Sequence, residues 1–157
     1  MRKRRTRKKK EDAQVVNEQP KVQAEGYLPT VAIDFDGVIH AYRTGWQGAV
    51  LIADKPVTIK SRRAKVTYNS IDWITGLINS EKVKVAIFSS RNTQGGAIEA
   101  MKEWLLNNGM EREVLEQIDF PTEKPPCIVL VDDRCLRFEG HFFTVNELLE
   151  FKPWKMQ

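Results

Sequence analysis

The chain has little of what marks a secreted or membrane-bound protein. Its 157 residues contain only two cysteines, Cys127 and Cys135. That is too few for a disulfide framework, and their surroundings do not match a zinc site. A reducing, intracellular, cytoplasmic setting is the expectation. Cys127 opens an apolar run and reads as a small core residue. No apolar run approaches the roughly 20 residues needed to cross a bilayer, so no membrane partner is expected. The basic N-terminus is not followed by an apolar segment, so it does not read as a secretory signal. With 41% hydrophobic and 29% charged residues, the composition fits one ordinary globular domain.

The net charge of +4 conceals two opposed regions. Residues 1–10 hold eight Lys/Arg and no acid, and the other 147 hold 17 basic and 21 acidic residues. A like-charge block of this kind repels itself and stays extended. The stretch from 11 to 26 is polar and reads as a linker. Residues 1–26 are therefore expected to be a basic flexible tail, with the domain at 27–157. Residues 2–10 suit attachment to nucleic acid by counterion release at phosphates. A solvated arm or a localisation signal is an equal alternative.

One stretch organises the domain: Val31 to His40, reading VAIDFDGVIH. Val31, Ala32 and Ile33 read as a buried strand that Phe35 continues. Asp34 and Asp36 are two apart, and in an extended chain such residues share a side. Gly37 permits a sharp turn after them. Two carboxylates this close repel unless a cation or a shared proton intervenes. A hard cation with oxygen ligands or a pair of catalytic carboxylates accounts for them. A turn or helix-cap pair is the plain alternative.

The segment from His40 to Thr67 is rich in loops, with 49–52 and 57–59 as short extended pieces, and carries Arg43, Trp46, Arg62, Arg63 and Lys65. Ser70 suits a helix N-cap. Ile71, Ile74, Leu77 and Ile78 form an apolar stripe at helical spacing, with Trp73 at its border as a core residue. A strand at 83–88 ends in Ser89, Ser90 and Arg91. Gly95 and Gly96 lead into a helix that buries Ala97, Ile98, Met101, Trp104 and Leu105 and stops at Gly109. A short helix at about 111–117 and a brief strand at 118–120 follow. The run 127–131 is a third apolar strand, ending in Asp132 and Asp133. A last strand is expected at 141–145, then a helix through Phe151 with Thr144 and Glu147 as capping box.

Apolar strands alternating with helices predict an α/β fold: a Rossmann-like parallel sheet with helices on both faces. Ligands in such sheets sit beyond the C-terminal strand ends. Asp34/Asp36, Ser89/Ser90/Arg91 and Asp132/Asp133 all occupy such ends.

These residues resemble, in order, the motifs of the haloacid dehalogenase (HAD)-like superfamily, most of whose members are phosphohydrolases. The resemblance covers roughly residues 30–152. Asp34-Phe35-Asp36-Gly37-Val38 is similar to the first motif, Ser89 to the second, Lys124 to the third and Asp132-Asp133 to the fourth. Lys124 stands only eight residues before Asp132, closer than in many members. The resemblance implies a Mg2+-dependent phosphatase with little or no cap domain. Asp34 would be the nucleophile that forms an aspartyl-phosphate, and Asp36 the general acid and then base. Mg2+ would be held by Asp34, the Asp36 backbone carbonyl, Asp132 and Asp133. Ser89 and Lys124 would hold the phosphoryl oxygens. Ser90 and Arg91 are further phosphate contacts, with a structural ion pair an equal alternative for Arg91. His40, Arg43 and Trp46 fall where the family carries a mobile flap, so each is either a substrate contact or an ordinary surface or anchoring residue.

An open site and a basic tail suggest a nucleotide, another phosphorylated small molecule or a phosphorylated nucleic-acid end as substrate. The phosphatase half of polynucleotide kinase-phosphatase enzymes is loosely similar. The competing expectations are a nucleic-acid-binding accessory protein on a HAD-like scaffold, and a phosphotransferase using the same site.

Overall fold

The computed structural model describes residues 26–60 and 66–154. The basic tail through residue 25, and with it the nucleic-acid contact expected of residues 2–10, lies outside them. So do Arg62, Arg63 and Lys65. Among the described residues no helix is long and apolar enough to cross a membrane.

Four parallel strands form the central sheet. In chain order the elements are β1 (Thr30–Ile33), β2 (Thr58–Lys60), β3 (Thr67–Asn69), α1 (Ser70–Asn79), β4 (Lys84–Ile87), a 3-10 turn (Ser90–Thr93), α2 (Ala97–Asn107), α3 (Arg112–Leu115), β5 (Ile118–Asp119), β6 (Val129–Val131) and α4 (Val145–Leu149). The sheet order is β5-β4-β1-β6, so β1 is central. β2 and β3 make a separate antiparallel pair. Between β1 and β4 the other pairings among the described residues are single bridges, Asp36 with His40 and His40 with Pro56.

The side-chain pattern explains the packing. Val31, Ile33, Val85, Ile87 and Ile118 meet Ile71, Ile74 and Ile78 of α1 and Met101, Trp104 and Leu105 of α2 in one apolar cluster. The step from β1 to β4 and that from β4 to β5 run the same way across the sheet. Right-handed crossovers therefore put α1 and α2 on one face. The intervening positions are the small Ala32 and Ala86, both buried. Near β5 this second face borders a hollow lined by Tyr27, Leu28, Phe120 and Pro125. The expected helical cover of both faces is not seen among the described residues, since α4 contributes no buried side chain.

Other local expectations shift for identifiable reasons. Asn69, not Ser70, caps α1: its side chain accepts from the Asp72 backbone N–H. Ser70 instead donates its hydroxyl to the Ile39 carbonyl, 2.7 Å away. β1 stops at Ile33, and Phe35 is wholly buried beyond it in a turn. Trp73 is not core but 39% exposed. Residues 141–145 form no strand, and Phe142 is 91% exposed. β6 is left as an edge, with Ile128 and Val129 exposed. The Thr144–Glu147 capping box is present, but its helix ends at Leu149.

Candidate active site

The strand register brings the acidic residues together. Ile33 is level with both Ile87 and Val131. The next steps continue the ladder: the Asp34 N–H donates to the Val131 carbonyl at 2.9 Å, and the Phe88 N–H to the Ile33 carbonyl at 2.9 Å. Asp34 therefore emerges from the sheet between Ser89 and Asp132. Carboxylate oxygens of Asp34, Asp132 and Asp133 lie within 4.8 Å of one another. Gly37 makes room for this grouping. Its φ is +92°, and a Cβ there would stand 2.5 Å from Asp133 Oδ2.

Burial and like charge act on Asp34 together. Burial foremost, then the Asp132 and Asp36 carboxylates, push its pKa up to about 7. Hydrogen bonds from the Phe35 backbone and the Ser89 hydroxyl oppose the rise without cancelling it. Three carboxylates crowded at strand ends form an all-oxygen donor set of the kind that holds a hard cation.

Asp36, two residues on, has different surroundings. A tight turn returns the chain, with the Ile39 and His40 N–H groups donating to the Phe35 carbonyl. His40 Nδ1 then meets Asp36 Oδ1 at 2.8 Å. Arg91 donates from Nε to Asp36 Oδ2 at 2.7 Å and from a terminal nitrogen to Oδ1 at 3.2 Å. Burial alone would raise the Asp36 pKa. The hydrogen bonds from His40 and Arg91, with the guanidinium charge, outweigh it and hold the carboxyl below its usual range. The Asp36 side chain thus stands outside the Asp34–Asp132–Asp133 group, which leaves its backbone carbonyl as the metal contact to consider.

The two readings of Arg91 are separated by its contacts. It is wholly buried, and its other terminal nitrogen donates to the Gly48 and Ala49 carbonyls at 3.0 and 3.1 Å. Trp46 lies against it, with the guanidinium carbon 4.6 Å from the ring centroid. The ion pair of Arg91 with Asp36 ties the end of β4 to the loop after β1, and Trp46 of that loop packs on the guanidinium. His40 is likewise no surface residue. It is 1% exposed, stacks on Phe35 and meets the Trp104 edge. The Asp54 N–H donates to its Nε2 at 3.1 Å, so Nδ1 carries the proton it gives Asp36.

Of the other expected residues, Ser89 and Ser90 line a small hollow of about 130 Å³ together with Asp34, Asp36, Tyr42, Trp46 and Arg134. Arg43 is exposed on a neighbouring hollow. Lys124 is exposed and forms no ion pair among the described residues; its charge is felt at the Cys135 thiol. That thiol hydrogen-bonds Asp132.

Several contributors gave no signal in the sequence. Trp154 donates its indole N–H to the Gly37 carbonyl at 3.0 Å, across 117 residues. Asn92 donates to the Ile87 and Pro121 carbonyls, fixing the turn after β4. Trp104 donates to the Asp54 carbonyl, tying α2 to the loop that carries Asp54. No family model, curated protein or solved structure matches the chain.

Proposed function

We propose that the chain is a HAD-like, Mg2+-dependent phosphohydrolase that forms an aspartyl-phosphate at Asp34 and acts on nucleotides or phosphorylated nucleic-acid ends. The observation that carries this reading is the meeting of Asp34, Asp132 and Asp133 at two adjacent strand ends, with Ser89 of a third strand end hydrogen-bonded to Asp34.

Each residue has work that fits its surroundings. Asp34 opens on the small hollow and, once ionised, attacks phosphorus as the bond to the leaving oxygen breaks. Ser89 can turn its hydroxyl from Asp34 to a phosphoryl oxygen of a group seated there. Asp36 serves the proton transfers. Asp36 gives a proton to the leaving oxygen, and the carboxylate so formed, the form the grip of Arg91 and His40 favours, takes a proton from the water that hydrolyses the aspartyl-phosphate. Lys124, whose charge is felt at the Cys135 thiol beside Asp132, is the cation this reading assigns to the phosphoryl oxygens.

Asp34, Asp132, Asp133 and the Asp36 carbonyl would hold the metal ion, a set whose oxygens suit Mg2+. Bound there, the ion supplies charge neutralisation for the phosphoryl group and for the crowded carboxylates. The test is phosphate release by the full chain, with and without Mg2+. Its panel is an aryl phosphate, nucleotides, sugar phosphates and 3′- and 5′-phosphorylated oligonucleotides. Release that needs Mg2+ and disappears in Asp34→Asn is the expected result. Metal-independent release, or an Asp34→Asn variant of full activity, overturns the reading.

A further inference from the structure

Hollows that share residues open at the strand ends: the smallest is lined by Asp34 and Asp36, and Asp132 and Asp133 line another, mostly apolar one. A third and larger hollow, of about 520 Å³, is lined by Ala41, Tyr42, Arg43, Gly45, Val57, Thr58, Arg134 and Trp154. It shares Tyr42 and Arg134 with the hollow that contains Asp34 and Ser89, so a molecule seated at Asp34 can continue into it. Its lining includes two arginines and no carboxylate, the reverse of the Asp34–Asp132–Asp133 group.

We propose that this larger hollow binds a second phosphoryl anion of the substrate, carried on the same molecule as the phosphate that reacts at Asp34. The proposal rests on the phosphohydrolase reading and narrows its substrate class. Arg43 forms no ion pair among the described residues. Arg134 is 60% exposed, and its recorded acidic neighbour, Asp133, is at the long distance of 4.0 Å. Both guanidiniums therefore keep donors to give. A guanidinium meets a phosphate with paired, charge-assisted hydrogen bonds.

The shape of the junction fits a linker between two phosphates. Tyr42 is held at φ +54°, a left-handed conformation unfavourable for a residue with a Cβ. Such strain persists where the surrounding structure imposes it. The Arg134 guanidinium stands 6.0 Å from its ring centroid. Trp154, also in the lining, is 48% exposed, and its indole N–H is held by the Gly37 carbonyl. Together they offer flat surfaces for a sugar or base between two anions. The volume lies within the roughly 300–1,000 Å³ of ordinary ligand pockets. A nucleoside bisphosphate and the phosphorylated end of a strand share this chemistry: a reactive monoester, a sugar, and a second phosphate.

Binding separates this proposal from catalysis. The full chain carrying Asp34→Asn, with Mg2+ present, is titrated calorimetrically with adenosine 5′-monophosphate, adenosine 3′,5′-bisphosphate and a 5′-phosphorylated dinucleotide. The second phosphate is expected to tighten binding about tenfold, the scale of one charge-assisted hydrogen-bonded contact. Adding Arg43→Ala and Arg134→Ala removes that gain, whereas Arg43→Lys with Arg134→Lys keeps part of it. Both arginines are exposed, so an unchanged thermal midpoint accompanies the loss, and the N-terminal tail is the same in every chain. A gain confined to the bisphosphate names a small molecule; a gain with the dinucleotide names a strand end. No gain in the parent, or a gain that survives the double alanine variant, overturns the proposal. Failure of the phosphohydrolase reading shows separately, as absent phosphate release by the unsubstituted chain.

Discussion

Asp34 and Asp36 are the same residue two positions apart, and the fold places them in opposite situations. Asp36 is gripped by Arg91 and His40, and its pKa is lowered. Asp34 faces Asp132 from a largely buried position, and its pKa is raised to about 7. A buried carboxylate with its charge and hydrogen bonds satisfied holds structure together. One left among like charges costs stability and is the usual mark of a working site. Within a single turn the chain therefore sets a firmly held carboxylate beside a crowded one, and substitutions on the two sides should fail in different ways.

The largest effect expected is on turnover. Asp34→Asn removes the nucleophile while keeping its shape. Phosphate release should fall by on the order of a thousandfold or more, with the urea midpoint not reduced. Asp36→Asn should lose turnover too, through the proton transfers, but it should also lose stability, and an Asp36→Asn variant of full stability would show that the contrast between the two sides is wrong. Next is the grip itself. Arg91→Leu leaves the partly buried Asp36 carboxylate without its cation, a change that costs up to roughly 3–5 kcal/mol. Urea denaturation measures it, and the double variant Arg91→Leu/Asp36→Asn should recover a good part, because it removes both charges. A double variant no more stable than Arg91→Leu would show that Arg91 acts through the Gly48 and Ala49 carbonyls rather than through Asp36.

The third prediction uses the sign of the Asp34 shift. Its folded pKa, about 7, lies above the ordinary carboxylate value. The folded state therefore holds the proton more tightly than the unfolded chain. That contribution is whole below about pH 4 and is lost as pH rises to and through 7. Asn does not ionise, so without metal ions Asp34→Asn should be the more stable chain at pH 8, by roughly 2–4 kcal/mol. The two chains should converge as pH falls toward 4. Thermal scans at several pH values measure the difference. Added Mg2+ should shrink it at pH 8, since a cation at the carboxylates relieves the same repulsion. A difference that ignores both pH and Mg2+ would detach Asp34 from the acidic group.

Much of this was legible because it is local or periodic. The three strand ends, the apolar stripe of α1, the Gly109 stop and the Thr144–Glu147 box follow from spacing that short-range chemistry dictates. That Asp34 would meet Asp132 follows from alternating strands and helices. What escaped was decided by partners distant in the chain. Nothing near Arg91 says that it will turn inward to Asp36, 55 residues earlier. The same holds for His40, whose burial against Phe35 and Trp104 depends on how α2 closes over the turn. Trp73 was misplaced because helical spacing fixes a stripe but not its width, and the residue falls at the edge. The apolar 141–145 segment reads as a strand, but β-propensity is realised only on a pleated surface with neighbours. Among the described residues no strand pairs with that segment.

The smallest effect comes from the residue that stands between the two sides. Gly37 follows Asp36 and packs against Asp133, so Gly37→Ala touches both. Its φ of +92° disfavours any Cβ, and the added carbon would stand 2.5 Å from the Asp133 carboxylate. The backbone strain alone costs about 1–2 kcal/mol. The contact can be relieved only by moving Asp133, because the turn is pinned by the Gly37 N–H to the His40 carbonyl at 2.8 Å. The Asp36–Arg91 pair is not in the way and should survive. The variant should therefore lose about 2 kcal/mol in urea denaturation. Its stability should also respond less to Mg2+ than that of the parent chain. If Mg2+ stabilises Gly37→Ala as strongly as the parent, Asp133 is not part of the cation site, and the acidic side of the comparison reduces to Asp34 and Asp132.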